Sequence, residues 1–485
     1  MPLNPQYAQT TKRVSFVAVP HQRGSDPSKD SRLVNFIPEI IESPFQEGKT
    51  VYIRKRPGIQ SVTAIPSAAA LRGIYYWSKY DTTYAVVGNT IYHYPTGGSV
   101  AVLGTFSTST GPAGFTEFTN STGQNSLIIV DGADIVYTTD GTTSNTVVRG
   151  GTTNLPTSFI PMPVVMDGYL FLAKTNTQTI FNSVLDDYTN WSDTTQFIDA
   201  EMYPDTIQAL TKNNNNVIAV GAQSMEYFYD AGIATGSPLQ RQAPAVQQFG
   251  TSAPMTVVQT EKEVVLVGNT GNGGHTVWAV DGFKENEIGT APIRMIINAE
   301  GTAIANATAY CIRTAGQKLY YLNLTSRTLV YSFDTKVWHE QSFLLTPQFA
   351  SDNKTAWPLV LCPFGGGVSA IAQFNDNIYQ DFGANFDCIV TTTRLDFDSN
   401  DRKRCDRLSL IGDSPEPNIS VPIQMNWYDD DYFTKSTGMS VYMTASRAIY
   451  HRLGMFRRRA FQFVFTQNYP LRLEGMELDI TMGQN

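Results

Sequence analysis

The sequence contains little charge, few cysteines and no long apolar run. Charged residues make up 16% of its 485 residues, and four cysteines occur: Cys311, Cys362, Cys388 and Cys405. No stretch approaches the roughly eighteen consecutive apolar residues of a membrane-spanning helix, and the first residues lack the apolar core of a signal peptide. The cysteines are too scattered for a disulfide scaffold and are predicted to be buried free thiols. The sequence therefore predicts a soluble protein made in a cytoplasm.

The residue types that build metal and catalytic sites are also dispersed. Five histidines fall in five different segments, and none has a second ligand at helical or hairpin spacing: His21, His93, His275, His339 and His451. The Gly-rich "GNTGNG" at Gly268 is followed by another β run and not by a helix that could receive a phosphate, so it is predicted to be a hairpin turn. We expect no metal site, no cofactor and no catalytic residue.

Two clusters of adjacent acids, Asp186–Asp187 and Asp429–Asp431, could in principle serve a glycosidase. The second cluster, in "MNWYDDDYFTKS", has the Trp but not the Ser and Gly positions of a sialidase-type turn. A solvated turn, able to hold a cation, is the favoured interpretation.

What the sequence does contain is typical of β structure. Apolar residues make up 42% and aromatics 12%, with Tyr and Phe far ahead of Trp, and Gly, Thr, Asn and Ser fill the gaps. The length favours two or three domains, or one large repeat architecture with attachments. We predict an all-β protein.

A hairpin pattern of strand, Gly/Asn/Asp turn and second strand recurs seven times, as in "TYAVVGNTIYHY" and "SLIIVDGADIVYT". Its second-strand aromatics are spaced by 44 to 53 residues: Tyr92, Tyr137, Phe181, Tyr227, Trp278, Tyr331 and Tyr379. A hairpin that cannot bury both faces alone gains by radial stacking, so this period predicts a β-propeller of six or seven blades. A large β-sandwich or a stack of hairpins is the alternative.

Charge separates the repeats from their flanks. Residues 66–387 contain 14 basic and 26 acidic residues, whereas residues 1–65 contain 9 and 5, and residues 388–485 contain 12 of each. The last segment has longer alternating strands of a sandwich-like domain, and the first is too short to fold alone. We therefore predict a propeller over residues 66–387 inserted into a β-sandwich-like base (platform) domain, made by an N-terminal arm (1–65) and residues 388–485.

Three basic runs lie in the predicted base. They comprise Arg54, Lys55, Arg56, Arg402, Lys403, Arg404, Arg457, Arg458 and Arg459. Arginine suits bidentate pairing with carboxylates, and the pairs could form within the domain or between subunits. We take these nine residues as a candidate subunit or base interface.

The combination of "RLVNFIPEI" and "RKRPG" near the N-terminus, a β-repeat middle, and "SRAIYHRLGMFRRRAFQFVF" with "YPLRLEGMELDI" near the C-terminus resembles the tail hub or nozzle (packaged-DNA stabilisation) proteins of short-tailed bacteriophages. Both ends and the order of parts match. The turn "NWYDDDYFTKS" departs from the Trp-Ser-Asp-Asp-Gly-Gly type of the relatives, so no role is carried over to Asp429–Asp431.

This resemblance implies a structural virion protein without enzymatic activity, assembled in the host cytoplasm as a homohexameric ring below the portal and adaptor. Such a ring would extend the DNA channel, retain packaged DNA without tight binding, and support tail fibres or spikes and a distal plug or needle. The alternative from another class is a carbohydrate-binding or carbohydrate-hydrolysing propeller with an acid pair in its central well.

Overall fold

Almost all regular structure in the protein is β-strand. The computed structural model describes residues 9–16, 31–42, 49–147, 154–233, 235–270, 274–353, 357–413, 421–429, 436–443 and 448–482. Within these ranges one α-helix occurs, α1 (Ala291–Ala299), together with 3₁₀ turns at Pro254–Thr256 and Gly301–Asn306. The N-terminal strands are β1 (Gln9–Ser15), β2 (Arg32–Val34), β3 (Phe36–Glu42), β4 (Lys49–Lys55) and β5 (Gly58–Ile65).

The middle of the chain forms consecutive groups of strands that we call blades. Blade 1 consists of β6 (Leu71–Trp77), β7 (Thr82–Val87), β8 (Thr90–Pro95) and β9 (Ala101–Thr105). Blade 2 consists of β10 (Gly114–Thr119), β11 (Asn125–Val130), β12 (Ile135–Thr138) and β13 (Asn145–Thr146). Blade 3 consists of β14 (Val164–Met166), β15 (Tyr169–Ala173), β16 (Thr179–Asn182) and β17 (Phe197–Asp199). Blades 4 and 5 consist of β18 (Ile207–Asn213), β19 (Asn216–Gly221), β20 (Met225–Asp230), β21 (Leu239–Gln247); and β22 (Val258–Gln259), β23 (Val264–Thr270), β24 (Gly274–Asp281), β25 (Lys284–Glu287).

The last two blades and the C-terminal strands complete the chain. Blade 6 consists of β26 (Thr308–Thr314), β27 (Gln317–Asn323), β28 (Thr328–Ser332) and β29 (Val337–Gln341), and blade 7 of β30 (Phe349–Ser351), β31 (Leu359–Gly365), β32 (Val368–Asn375) and β5. The C-terminal strands are β33 (Cys388–Thr391), β34 (Lys403–Asp413), β35 (Val421–Asp429), β36 (Ser436–Met443), β37 (Ile449–His451), β38 (Met455–Phe456), β39 (Arg459–Phe465) and β40 (Arg472–Met482).

Each blade is a four-stranded antiparallel unit built from hairpins. In blade 1 the register brings Val87 opposite Thr90, which leaves a two-residue turn in which Gly88 has a φ of 61°. Glycine adopts this left-handed conformation without steric cost, so "VVGNT" encodes the reversal locally. The Gly268 segment likewise belongs to a hairpin, since β23 pairs with β24. The predicted all-β propeller is confirmed, with seven blades in the described part of the chain.

The repeated aromatic residues mark the third strand of a blade in six of seven cases. Tyr92, Tyr137, Phe181, Tyr227, Trp278 and Tyr331 lie on β8, β12, β16, β20, β24 and β28. Tyr379 lies in the loop after β32 and not on a strand. The seventh predicted hairpin is therefore displaced, because the partner of β32 on that side comes from the N-terminus.

That partner is β5, which closes the ring as the fourth strand of blade 7. It runs antiparallel to β32, with Ile59 opposite Phe374 and Ile65 opposite Ser369. The predicted boundary at residue 66 left this strand with the base, whereas its pairing places it in the propeller. A strand that joins the two ends of the ring ties blade 7 to blade 1 through continuous backbone.

A separate hydrophobic cluster fills the space between every two neighbouring blades. The cluster between blades 1 and 2 contains Trp77 and Leu127, and the one that closes the ring between blades 7 and 1 contains Leu361 and Ile74. In the cluster between blades 5 and 6, Ile293 of α1 is fully buried. Because each buried large aliphatic or aromatic side chain contributes about 1.5–3 kcal/mol, these contacts hold the blades together.

Strands from both ends of the chain form two further sheets, and we call β1–β4 with β33–β40 the base. One sheet has the order β3-β4-β40-β34-β37, with β1 paired to β40 and β38 to β34. In the other, β2-β33-β39-β35-β36 continues the four strands of blade 6. Alternation along β40 buries Met476, Leu478 and Ile480 and turns Glu477 and Asp479 the other way.

Candidate functional site: the junction between propeller and base

The junction forms where the chain leaves β4 and enters β5. Val34 of β2 pairs in parallel with Glu340 of β29, so the sheet of blade 6 continues into the base. The carboxylate of Glu340 accepts hydrogen bonds from Arg32 at 2.6 and 3.2 Å, while Arg327 lies 3.4 Å away. Strand pairing and ion pairs together join the two parts at this point.

Arg56 lies at the centre of the junction and is fully buried. Its two terminal nitrogens donate to the two carboxylate oxygens of Asp381 at 2.9 and 2.6 Å. Its remaining hydrogens reach Asn35 Oδ1 at 2.9 Å, the Ser342 carbonyl at 2.7 Å and the Pro57 carbonyl at 2.9 Å. All five guanidinium donors are therefore used, which is what a buried arginine requires.

Two aromatic rings cover the faces of this guanidinium. Its central carbon lies 3.8 Å from the ring centroid of Phe386 and 4.5 Å from that of Phe343. Asp381 also accepts from the backbone N–H of Ile59 at 3.3 Å and of Leu344 at 3.4 Å. The ion pair is held in one geometry by contacts from the base and from blades 6 and 7.

Asn35 aligns the partners of Arg56. It adopts a φ of 58°, a left-handed conformation that asparagine tolerates better than most residues. Its Oδ1 accepts from Arg56 and from the Ser342 N–H, while its Nδ2 donates to the Ser342 hydroxyl at 2.7 Å and the Asp387 carbonyl at 2.6 Å. The Asn of "RLVNFIPEI" is therefore a structural hub that the sequence pattern did not identify as such.

Lys55, next to Arg56, is also fully buried. Its Nζ donates to the Gln467 carbonyl at 2.7 Å and lies 4.4 Å from the ring centroid of Phe386 and 5.1 Å from that of Phe465. Burial lowers the pKa of Lys55 to about 8. Arg54 is half-buried, paired with Glu39 at 3.0 Å and bonded to the Ala315 carbonyl at 2.9 Å.

The second basic run divides between surface and interior. Arg402 and Arg404 are exposed, and Arg404 pairs with Asp406 at 2.8 Å. Lys403 is buried, and its Nζ donates to the carbonyls of Ser399, Asp401 and Arg457 at 2.5–3.0 Å. These are bonds within the domain.

The third basic run divides in the same way. Arg459 is buried and binds both carboxylate oxygens of Asp429, at 2.5 and 2.8 Å. Arg457 is half-buried and donates to the Asn400 carbonyl at 2.8 Å, and Arg458 is exposed. Residues 457–458 form a bend, and β39 begins at Arg459.

The predicted subunit or base interface divides here, because at four positions the contacts lie within the chain. Lys55, Arg56, Lys403 and Arg459 are buried within the chain, where they cannot contact another subunit. For the remaining five basic residues the interface stays a prediction. Asp429 serves as the carboxylate partner of Arg459, while Asp430 and Asp431 lie outside the described residues.

The remaining candidates from the sequence are the acidic pair at 186–187 and the four cysteines. Asp186 and Asp187 lie in a turn after β16, where Asp187 accepts from the Thr189 N–H and hydroxyl at 3.0 and 2.6 Å. Cys362, Cys388 and Cys405 are buried free thiols and Cys311 is half-buried. Among the described residues, no group of three His, Cys, Asp or Glu side chains is placed to hold a metal.

A cavity of about 480 Å³ lies where the first strands of all seven blades begin. Its lining includes, for each blade, a residue at the start of the first strand or in the segment just before it: Leu71, Pro112, Pro161, Ile207, Pro254, Thr308 and Phe349. None of the lining residues is charged. The acid pair that a carbohydrate-hydrolysing propeller would carry in its central well is thus not part of this cavity's lining.

The cavity lies on the face of the propeller away from the base. Thr308 at the start of β26 lines the cavity, whereas Ala315, just past the end of the same strand, contacts Arg54 of the base. Seven residues of strand separate the two by about 20 Å.

None of the helices in the described ranges has the length and apolar character to cross a membrane.

Across the described residues, the closed ring of seven four-stranded blades with its attached base defines a β-propeller protein. Residues 19–354 match the family described as Bacteriophage P22 Gp10, beta-propeller. Because this match covers more than half of the chain, the protein belongs to that family, a family of bacteriophage tail-stabilisation proteins, and has a phage structural role. No curated protein is significantly similar in sequence.

Several solved structures resemble the chain weakly. Virginiamycin B lyase from Staphylococcus aureus is 11% identical over 65% of this chain and 99% of its own, with a TM-score of 0.42. The β-propeller domain of the Trilobed protease from Pyrococcus furiosus is 7% identical over 64% of this chain and 96% of its own, with a TM-score of 0.39. Similarities at this level carry no argument about function.

Proposed function

We propose that the protein is a tail hub or nozzle of a short-tailed bacteriophage. Six copies form a ring beneath the portal and adaptor, and the ring extends the DNA channel and helps to retain packaged DNA. Membership of the tail-stabilisation family is the observation that carries this proposal. The ring assembles in the host cytoplasm, becomes part of the virion, and has no enzymatic activity.

The proposed partners are the tail adaptor, the tail fibres or spikes, and a distal plug or needle. A part that carries load between them needs its two halves fixed to each other. The continuous sheet from blade 6 into the base and the buried pair of Arg56 with Asp381 support this role. We keep the division into residues 1–65, 66–387 and 388–485 except at one boundary: residues 58–65, which form β5, move from the N-terminal arm to the propeller.

Double-stranded DNA passes through the assembled ring without tight binding. Residues 66–387 supply every strand of the propeller except β5, and they contain 26 acidic and 14 basic residues. A surface of this sign gains little binding free energy from displacing the counterions of a duplex. Four of the nine candidate basic side chains of the base are buried and are not available to contact DNA. The proposed channel lies between subunits, because the cavity inside each propeller is only about 480 Å³.

The experiment that tests the role uses particles assembled without this protein. They should package DNA and then lose it, because the channel below the adaptor stays open. Nuclease-protected genome per particle, followed over hours after packaging, measures the loss, and supplying the protein in trans is the control. Particles that keep their full genome without the protein would contradict the role in retention.

Direct binding separates retention by geometry from retention by affinity. In a filter-binding titration with linear duplex at about 0.15 M salt, the purified protein should bind no more tightly than non-specific binders, with dissociation constants of roughly 1–100 μM. Binding well below that range that survives added salt would show that the protein grips DNA directly.

A further inference from the structure

The uncharged cavity contrasts with the rest of the propeller. Residues 66–387 contain 40 charged side chains, yet none of them lines the cavity, to which every blade contributes. Transferring an unpaired charge into such an environment is costly, so the cavity discriminates against charged ligands. Its volume of about 480 Å³ lies within the range of specific binding sites, about 300–1,000 Å³.

The lining combines adaptable apolar groups with hydrogen-bonding amides. Met162 and Met255 supply flexible thioethers, which adjust to the shape of a ligand. Asn176, Gln208 and Gln348 add carboxamides, each of which offers both donors and an acceptor. A peptide bond presents the same pair of groups, one N–H and one C=O.

The fold adds backbone groups to this set. The first strand of each blade is the edge strand of its sheet, paired on one side only: β6, β10, β14, β18, β22, β26 and β30. An edge strand leaves N–H and C=O groups on its open side, and these can pair with an added extended chain. The cavity is reached from the face away from the base, about one strand length from the junction.

We propose that this cavity binds a short, uncharged peptide segment of a partner protein. Apolar side chains of the segment pack against the prolines, methionines and phenylalanines of the lining, and its backbone bonds to the carboxamides and edge strands. The site does not depend on DNA retention and would exist whether or not the tail role holds.

The test uses the purified full chain and a panel of blocked hexapeptides built from Pro, Leu, Gln and Thr. A matched panel carries one central Lys or Asp, and maltohexaose serves as an uncharged non-peptide probe. Calorimetric titration should detect binding of uncharged peptides, weakened roughly tenfold or more by a single charge. Absence of any peptide binding below about 1 mM, or binding of maltohexaose alone, would overturn the proposal.

Two variants locate the binding. Ala305→Trp fills the cavity from its lining and should abolish binding, and Gln348→Glu adds a charge at constant size and should weaken it roughly tenfold or more. Gln240→Glu, at an exposed position of the outer strand of blade 4, is the matched control and should leave binding unchanged. Near-ultraviolet circular dichroism checks that each variant folds. Folded variants that bind as the wild type does would place the peptides elsewhere and refute the site.

Discussion

Replacing Asp381 by Asn tests whether the buried ion pair holds the propeller on the base. The substitution keeps the side-chain size but leaves the guanidinium of Arg56 buried without a counter-charge. It also presents an amide N–H₂ to a donor that needs an acceptor. Both carboxylate bonds, at 2.9 and 2.6 Å, are affected. Removing one partner of a buried pair costs about 3–5 kcal/mol of the free energy of unfolding.

A matched exposed pair provides the control. Arg313 also forms a bidentate pair, but through Nε and one terminal nitrogen, which donate to the carboxylate oxygens of Glu261 at 3.2 and 2.8 Å. The two side chains are 58% and 68% exposed. Solvent screens such a pair, so Glu261→Gln should cost about 0–1 kcal/mol. The difference between the two variants therefore reports mainly on burial, because both pairs are bidentate and each variant neutralises one carboxylate.

Urea unfolding followed by fluorescence and circular dichroism measures both losses, with a two-state analysis used where the two transitions coincide. The double variant Arg56→Met with Asp381→Leu should recover part of the loss, since it removes both buried charges. Equal losses for Asp381→Asn and Glu261→Gln, or a double variant less stable than Asp381→Asn, would refute the assigned role of this pair.

Four further substitutions test other basic side chains of the protein. Arg459→Gln should cost several kcal/mol of the free energy of unfolding, because it leaves Asp429 without its buried partner. Arg458→Gln should change that free energy by no more than about 0.5 kcal/mol and should reduce ring formation in analytical ultracentrifugation. Normal rings from Arg458→Gln would exclude Arg458 from the interface. Burial lowers the pKa of Lys55 to about 8 from 10.5, so the unfolded state binds more protons than the folded state between these pH values. The stability of the wild type relative to Lys55→Met should therefore rise from pH 8 to 10.5. A stability difference that does not change with pH would contradict this. Burial likewise lowers the pKa of His339 to about 3 from 6.5. In thermal unfolding, the stability of the wild type relative to His339→Gln should therefore fall as the pH decreases from 6.5 to 3. A stability difference that stays constant over this range would count against a neutral buried imidazole.

Local patterns predicted the propeller because a hairpin is encoded by neighbouring residues. Gly88 supplies the turn conformation, and the aromatics from Tyr92 to Tyr331 recur on the third strand of successive blades. Each of these signals lies within a few residues of the structure it specifies. The pattern failed at Tyr379, where the next strand of the blade comes from residues 58–65, more than 300 positions away.

The basic runs show a second limit of sequence patterns. Arg404, Arg457 and Arg458 look the same in sequence as the buried Arg56 and Arg459. Burial of an arginine depends on what packs over it, and Arg56 is covered by Phe343 and Phe386 and paired with Asp381 from another part of the chain. An internal ion pair and a subunit contact therefore have the same sequence signature.

The sequence by itself determined the all-β class, the repeating hairpin and the acidic character of the propeller, because composition and short-range periodicity encode them directly. The resemblance to the phage tail family could also be recognised in the amino-acid sequence, because motifs at both ends of the chain carry it. Tertiary structure alone decided that the blades number seven in the described residues, that β5 closes the ring, and that Asn35, Arg56 and Asp381 meet. It alone created an uncharged cavity from residues at or near the first strands of seven blades. The physical reason is that these features depend on contacts between residues far apart in the chain, whose partners are chosen by packing and charge compensation after the strands have formed.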